Sequence, residues 1–80
     1  MAGRPDPLAA RFATLTTRER AVCRLVVAGH LNKQTAHALG IAVATVKIHR
    51  ASAMRKLGAR SLPDLVRVMD RYDPEVKPCR

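Results

Sequence analysis

Eighty residues with a formal net charge of +9 and 48% hydrophobic side chains make one small domain, near the lower limit at which a single core holds without metal or disulfides. No apolar run approaches the roughly 18 residues of a membrane span, and the start Met1-Ala2-Gly3-Arg4-Pro5-Asp6-Pro7 lacks the apolar stretch of a signal peptide, so a soluble, cytoplasmic chain is expected. One Phe, one Tyr and no Trp leave Ala, Val, Leu, Ile and Met to fill the core, which points to an all-α bundle rather than to sheets.

In chain order, residues 1–13 place Gly3, Pro5 and Pro7 ahead of Leu8-Ala9-Ala10-Arg11-Phe12-Ala13. A leader helix is one reading, but the stretch is expected as a flexible arm or linker remnant with Phe12 docking on the core. Thr16-Thr17-Arg18-Glu19 spells a capping box, in which the Thr16 hydroxyl accepts from the Glu19 N–H and the Glu19 carboxylate reaches back to the Thr16 N–H. A helix therefore starts near Thr17, buries Val22, Leu25 and Val26, and stops at Gly29. Asn32 is the next N-cap candidate, opening a short helix over 33–39 with Ala36 and Leu39 inward and Thr35 partly covered. Gly40 ends it, and Ile41 and Ala42 lead into a third helix over 43–57. At 100° per residue its inward stripe is Val46, Ala53 and Leu57, and its outward face is Ala44, Lys47, Ile48, Ala51 and Arg55. Gly58 closes that helix. Ser61-Leu62-Pro63-Asp64 caps a fourth, with Leu62, Leu65, Val66 and Met69 as its core stripe. Residues 73–80, with Pro74 and Pro78, are expected to be a disordered tail.

Charge is distributed unevenly. From residue 20 to residue 63, forty-four residues carry eight Lys or Arg and no Asp or Glu, while the six acids (Asp6, Glu19, Asp64, Asp70, Asp73 and Glu75) flank the block. Withholding every acid from half of a small domain creates a one-sided positive field suited to a polyanion, so nucleic acid is the expected partner. The second and third helices, joined around a glycine over about residues 32–51, have the layout of a helix-turn-helix whose second helix is free to enter a major groove. Scarce aromatic stacking residues argue against a sequence-neutral basic RNA binder. Cys23, His30, His37, His49 and Cys79 include no CxxC and no HxxxH pair on one helix, so no zinc site and no cofactor is expected. A Cys23–Cys79 disulfide is not expected either in a reducing compartment. So small a helical domain has little volume to enclose a catalytic pocket, which excludes an enzyme.

The motifs Leu15-Thr16-x-Arg18-Glu19-Arg20, Gly29-x-Leu31-Asn32-Lys33-Gln34-x-Ala36, Leu39-Gly40-Ile41, Thr45-Val46-Lys47-x-His49-Arg50 and Met54-Arg55-Lys56-Leu57-Gly58, in that order, resemble the LuxR/FixJ-type (GerE-like) DNA-binding domain. They look most like the carboxy-terminal output domain of FixJ-like response regulators, over about residues 14–70. The resemblance implies a four-helix bundle with a central helix-turn-helix. It also implies that the helix over 43–57 lies in the major groove with Lys47, Ile48 and Ala51 facing bases, joined by Ala44 on the same face. Asn32, Lys33, Thr45, Arg50 and Lys56 would then lie near phosphates together with Arg55, although Arg55 and Lys56 near the helix end could equally complement the helix dipole. Three departures stand out: Ala42 where the family usually has a Ser N-cap, Thr35 where it usually has Ile, and Ala51 in place of a polar base-reading chain. Hydrogen-bonded readout then falls mostly to Lys47, with Ile48 and the alanines offering contacts to thymine methyls.

Taken together, residues 14–72 are expected to form a domain that binds double-stranded DNA and regulates transcription. The fourth helix has more apolar surface than one core face uses, so a homodimer contact is expected through Leu65, Val68 and Tyr72, unless the arm over 8–13 covers that surface. RNA polymerase is a candidate further partner; neither a membrane nor a small-molecule ligand is expected. The Pro-bearing start is similar to an interdomain linker and favours a piece of a larger regulator over a stand-alone reader. The alternative reading is a small interaction module that pairs with a full-length regulator of this type and keeps it off DNA.

Overall fold

Side-chain caps set where three of the five helices begin. The Asp6 carboxylate accepts from the N–H groups of Leu8 (3.1 Å) and Ala9 (3.3 Å), and Pro7 supplies a preset first-turn φ, so α1 spans Pro7–Ala13. The reciprocal Thr16 and Glu19 bonds, at 2.9 and 3.0 Å, open α2 over Thr17–Val27. The Ser61 hydroxyl accepts from Asp64 N–H at 3.3 Å and opens α5 over Leu62–Tyr72. Between them lie α3 (Asn32–Leu39) and α4 (Val43–Leu57). The computed structural model describes residues 6–76, and no strand occurs among them.

Four expectations change here. The stretch expected as a flexible arm is helix α1 from residue 7, because Asp6 satisfies its orphan amides and Phe12 is buried in the core. The expected disordered tail is packed as far as Val76: Arg24 grips the buried Asp73 through Nε (2.8 Å) and Nη2 (3.2 Å) and reaches Glu75 at 3.4 Å. The rest of that tail, with Cys79, lies outside the described residues. Asn32 is the first residue of α3 rather than its cap. Leu31 takes the cap position without an acceptor of its own, and the Gln34 amide oxygen accepts from Leu31 N–H at 2.8 Å. On α5, Leu65 and Met69 are buried as a pair, but Leu62 and Val66 remain 42% and 40% exposed, because this helix meets its neighbours over a narrower stripe than the apolar count suggests.

The core is one cluster. Val22, Cys23 and Val26 of α2 meet Val46, Ala53 and Leu57 of α4, and Leu65 and Met69 of α5 close one side. Burial pushes the Cys23 thiol up to about 11, with nearby Glu19 adding to the effect. Thr35 is fully buried where α3 meets this cluster, and among the described residues its hydroxyl has no hydrogen-bond partner, an unmet cost typical of a polar atom in an apolar site.

Candidate nucleic-acid interface

Three residues, Gly40, Ile41 and Ala42, turn the chain from α3 into α4. Gly40 sits at φ +67°, a left-handed conformation that only glycine adopts cheaply. Ile41 N–H then donates to the Ala36 carbonyl at 3.0 Å, the six-to-one bond that ends a helix without stray carbonyls. Across the turn, Arg50 Nη1 donates to Asn32 Oδ1 at 3.2 Å. That bond ties the start of α3 to the middle of α4, so the angle between the two helices is held by a side-chain strut as well as by the turn.

With its Val46, Ala53 and Leu57 stripe in the core, α4 presents Ala44, Lys47, Ile48, Ala51 and Arg55 to solvent, and Ile48 is 66% exposed. Lys33 is exposed on α3, and Thr45 and Arg50 are half-buried on the flanks of α4. Among the described residues no carboxylate pairs with Lys33, Lys47, Arg50, Arg55 or Arg60; the ion pairs are Arg24 with Asp73 and Glu75, Lys56 with Glu19, and Arg67 with Asp64. Arg60, exposed just beyond α4, was counted in the basic run but assigned no role. Its backbone N–H donates to Asp64 Oδ2 at 3.1 Å, and among the described residues its guanidinium pairs with no carboxylate.

Lys56, expected near a phosphate, has a carboxylate partner within the domain. Its ammonium donates to Glu19 Oε1 at 2.7 Å and to the Thr14 carbonyl at 3.3 Å, on the side of α4 opposite Lys47. Burial by itself would raise the Glu19 carboxyl, but Lys56, the Thr16 N–H and the Ser52 hydroxyl outweigh it and hold the group down at about 2. Lys56 is thus the counter-ion of a buried cap. Sequence spacing hid this, because thirty-seven positions separate the pair.

The expected dimer residues of α5 are also placed differently. Leu65 has no exposed surface. Tyr72 stacks on Phe12 of α1 with ring centroids 6.0 Å apart and donates its hydroxyl to Asp6 Oδ2 at 2.6 Å. Leu8 and Val68 line one shallow cleft between α1 and α5. The apolar side chains that α5 leaves open are Leu62 and Val66 instead. Among the described residues no His, Cys, Asp or Glu cluster suited to a metal occurs, and no helix is long and apolar enough to cross a membrane.

An acid-free helix pair with a three-residue turn, the second helix seated on the core and showing a cationic outer face, defines a helix-turn-helix DNA-binding domain. The family model described as bacterial regulatory proteins, luxR family, matches residues 13–69. Nodulation protein W of Bradyrhizobium diazoefficiens is 52% identical over 59 residues, covering 74% of this chain and 26% of that protein. Transcriptional regulatory protein FixJ of Rhizobium meliloti is 51% identical over 63 residues, 79% of this chain and 31% of that protein. The solved structure of response regulator StyR superposes with a TM-score of 0.78 at 48% identity, covering 81% of this chain and 33% of that one. The chain therefore belongs to the luxR family of bacterial regulatory proteins, whose helix-turn-helix domains bind double-stranded DNA in transcription regulation and are not enzymes. It spans between a quarter and a third of the length of these relatives.

Proposed function

We propose that the chain acts as the DNA-binding output domain of a cytoplasmic response regulator, with α4 in the major groove and Lys47, Ile48, Ala51 and Ala44 toward base edges. Lys33, Thr45, Arg50, Arg55 and Arg60 meet phosphates, and Asn32 orients Arg50. The observation that carries this reading is the one-sided charge: the cations on the α3–α4 surface lack carboxylate partners, whereas Arg24 and Lys56 behind it are neutralised. Lys56 is left out of the contact set because Glu19 holds it. Dimerisation on two half-sites about one helical turn apart fits the exposed Leu62 and Val66 pair on α5 better than Leu65, Val68 and Tyr72. RNA polymerase is a candidate for the surface left free.

Fluorescence anisotropy tests the reading on duplexes enriched from a random pool, at several salt concentrations. Log affinity is expected to fall linearly with log salt, and Lys33→Ala to reduce that slope by about 1 for all sequences alike. Affinity indifferent to salt and to Lys47→Ala would remove α4 from the groove. Val66→Asp is expected to abolish cooperative filling of paired half-sites while leaving single-site affinity nearly intact; unchanged cooperativity would move the dimer contact off α5.

A further inference from the structure

The half-buried cations of this domain, save one, have polar partners. Among the described residues the half-buried Arg and Lys side chains are Arg20, Arg24, Arg50 and Lys56. Arg24 holds Asp73, Lys56 holds Glu19, and Arg50 donates to Asn32. Arg20 has no carboxylate partner among the described residues, and its Nε is buried without a hydrogen bond. The group is nevertheless held in place, because its guanidinium lies 4.6 Å over the ring of Phe12, which is itself buried and stacked on Tyr72. A guanidinium seated on a ring uses its face there and keeps its donor-bearing edge for an acceptor in its own plane. A charged donor so placed is destabilising until a partner meets it.

Arg20 lines an open cleft together with Leu15, Thr17, Arg24 and Glu75. Thr17 stands three residues before Arg20 in α2, hence on the same side of the helix, and it is exposed, so its hydroxyl adds a second donor. Arg24 is already neutralised by Asp73. We infer that Arg20 and Thr17 form a receptor for a carboxylate, presented by an Asp or Glu side chain of a partner protein. The terminal nitrogens of Arg20 take the carboxylate through two parallel N–H bonds, and the Thr17 hydroxyl donates to one of its oxygens. Two features favour a protein acid over a DNA phosphate. No residue of α3 or α4 lines the cleft, so the site stands apart from the cationic outer face. Glu75 stands at the cleft with its side chain 71% exposed, and its charge opposes the closely spaced phosphates of a duplex more than the single charge of one side chain.

The test follows the arginine Nε–Hε and backbone amide signals of the isotope-labelled whole chain at neutral pH, during titration with sodium acetate at an ionic strength held constant with sodium chloride. Saturating movement of the Arg20 signal and the Thr17 amide is expected, with the exposed Arg55 and Arg60 signals unmoved. A capped peptide carrying one Glu is expected to move the same signals. Arg20→Lys, which keeps the charge but loses the fork, is expected to weaken acetate about tenfold at the Thr17 amide, as the loss of one charge-assisted hydrogen bond does, with circular dichroism and duplex affinity unchanged. Thr17→Val leaves the Arg20 signal readable and is expected to weaken acetate about fivefold. A drift shared by all arginine signals would overturn the inference, because it reports bulk salt. A peptide that moves nothing where acetate does would overturn the protein source. Tighter binding of inorganic phosphate, together with a loss of duplex affinity in Arg20→Lys, would give Arg20 to the DNA backbone instead. If acetate moves the Arg20 signal only in Glu75→Gln, then Glu75 is the internal partner of Arg20 and the inference fails.

Discussion

The pair α3–α4 and the frame around it, α1, α2 and α5, handle charge in opposite ways. In the frame, five of the six acids are engaged: Asp6 caps α1 and accepts from Tyr72, Glu19 caps α2 and holds Lys56, Asp64 meets Arg67, and Asp73 with Glu75 holds Arg24. Across α3 and α4 there is no acid at all. Two lysines nine positions apart on α4 make the contrast concrete, since Lys56 points into the frame and is neutralised while Lys47 points out and is not. A cationic surface thus arises less from adding basic residues than from spending the available carboxylates where they cannot screen it.

Changes in the frame should therefore lower stability and spare affinity, and changes on the outward face should do the reverse. The largest effect is expected from Glu19→Ala, which removes a cap and leaves Lys56 without its partner, for a loss of about 3 kcal/mol in chemical denaturation; a loss below about 1 kcal/mol would mean the pair is a surface ornament. Acid should reproduce that loss. The Glu19 carboxyl is held near 2 against an ordinary 4.5, so its contribution is complete above about pH 4.5 and disappears as pH falls toward 2. Asp73 is shifted the same way, burial raising it but the Arg24 guanidinium and the Glu75 N–H prevailing. Denaturation midpoints that stay flat between pH 4.5 and 2 would contradict both.

Next in size, Asp73→Asn should cost about 2 kcal/mol by leaving a buried amide against Arg24, with increased hydrogen exchange confined to the end of α5. Lys47→Ala should then weaken duplex binding by about 1–3 kcal/mol while moving the melting midpoint by no more than about 0.5 kcal/mol in stability. If it unfolds the domain instead, the division between the two regions fails. The smallest expected change is a gain. Thr35→Val keeps the shape and deletes a buried hydroxyl without a partner, so stability should rise by about 1 kcal/mol, or about 4–8 °C in Tm for a domain of this size. A decrease would mean that the hydroxyl is satisfied in solution.

Some of this was legible from local rules. The capping box at Thr16 and Glu19, the limits of α4 and its Val46, Ala53 and Leu57 stripe depend on interactions within one or two turns, which sequence spacing states directly. Local rules left residues 7–13 between a leader helix and an arm, because the cap rests on one carboxylate, Asp6, and because Phe12 has Tyr72 and Arg20 as neighbours; the Arg20 guanidinium lies 4.6 Å over its ring. On α5 the apolar count identified the helix but could not say which side faced inward. Leu62 and Val66 sit one residue-step off the Leu65 and Met69 line, and only the direction from which α2 and α4 approach separates the two rows.

The sequence by itself determined where the chain turns, which helix faces outward with Lys47, and that no acid lies between residues 20 and 63, because caps, glycine turns and periodicity act over a few residues. Tertiary structure decided which cations remain free. Lys56 and Arg24 are neutralised by carboxylates thirty-seven and forty-nine positions away, and pairings at that distance exist only once the helices have packed.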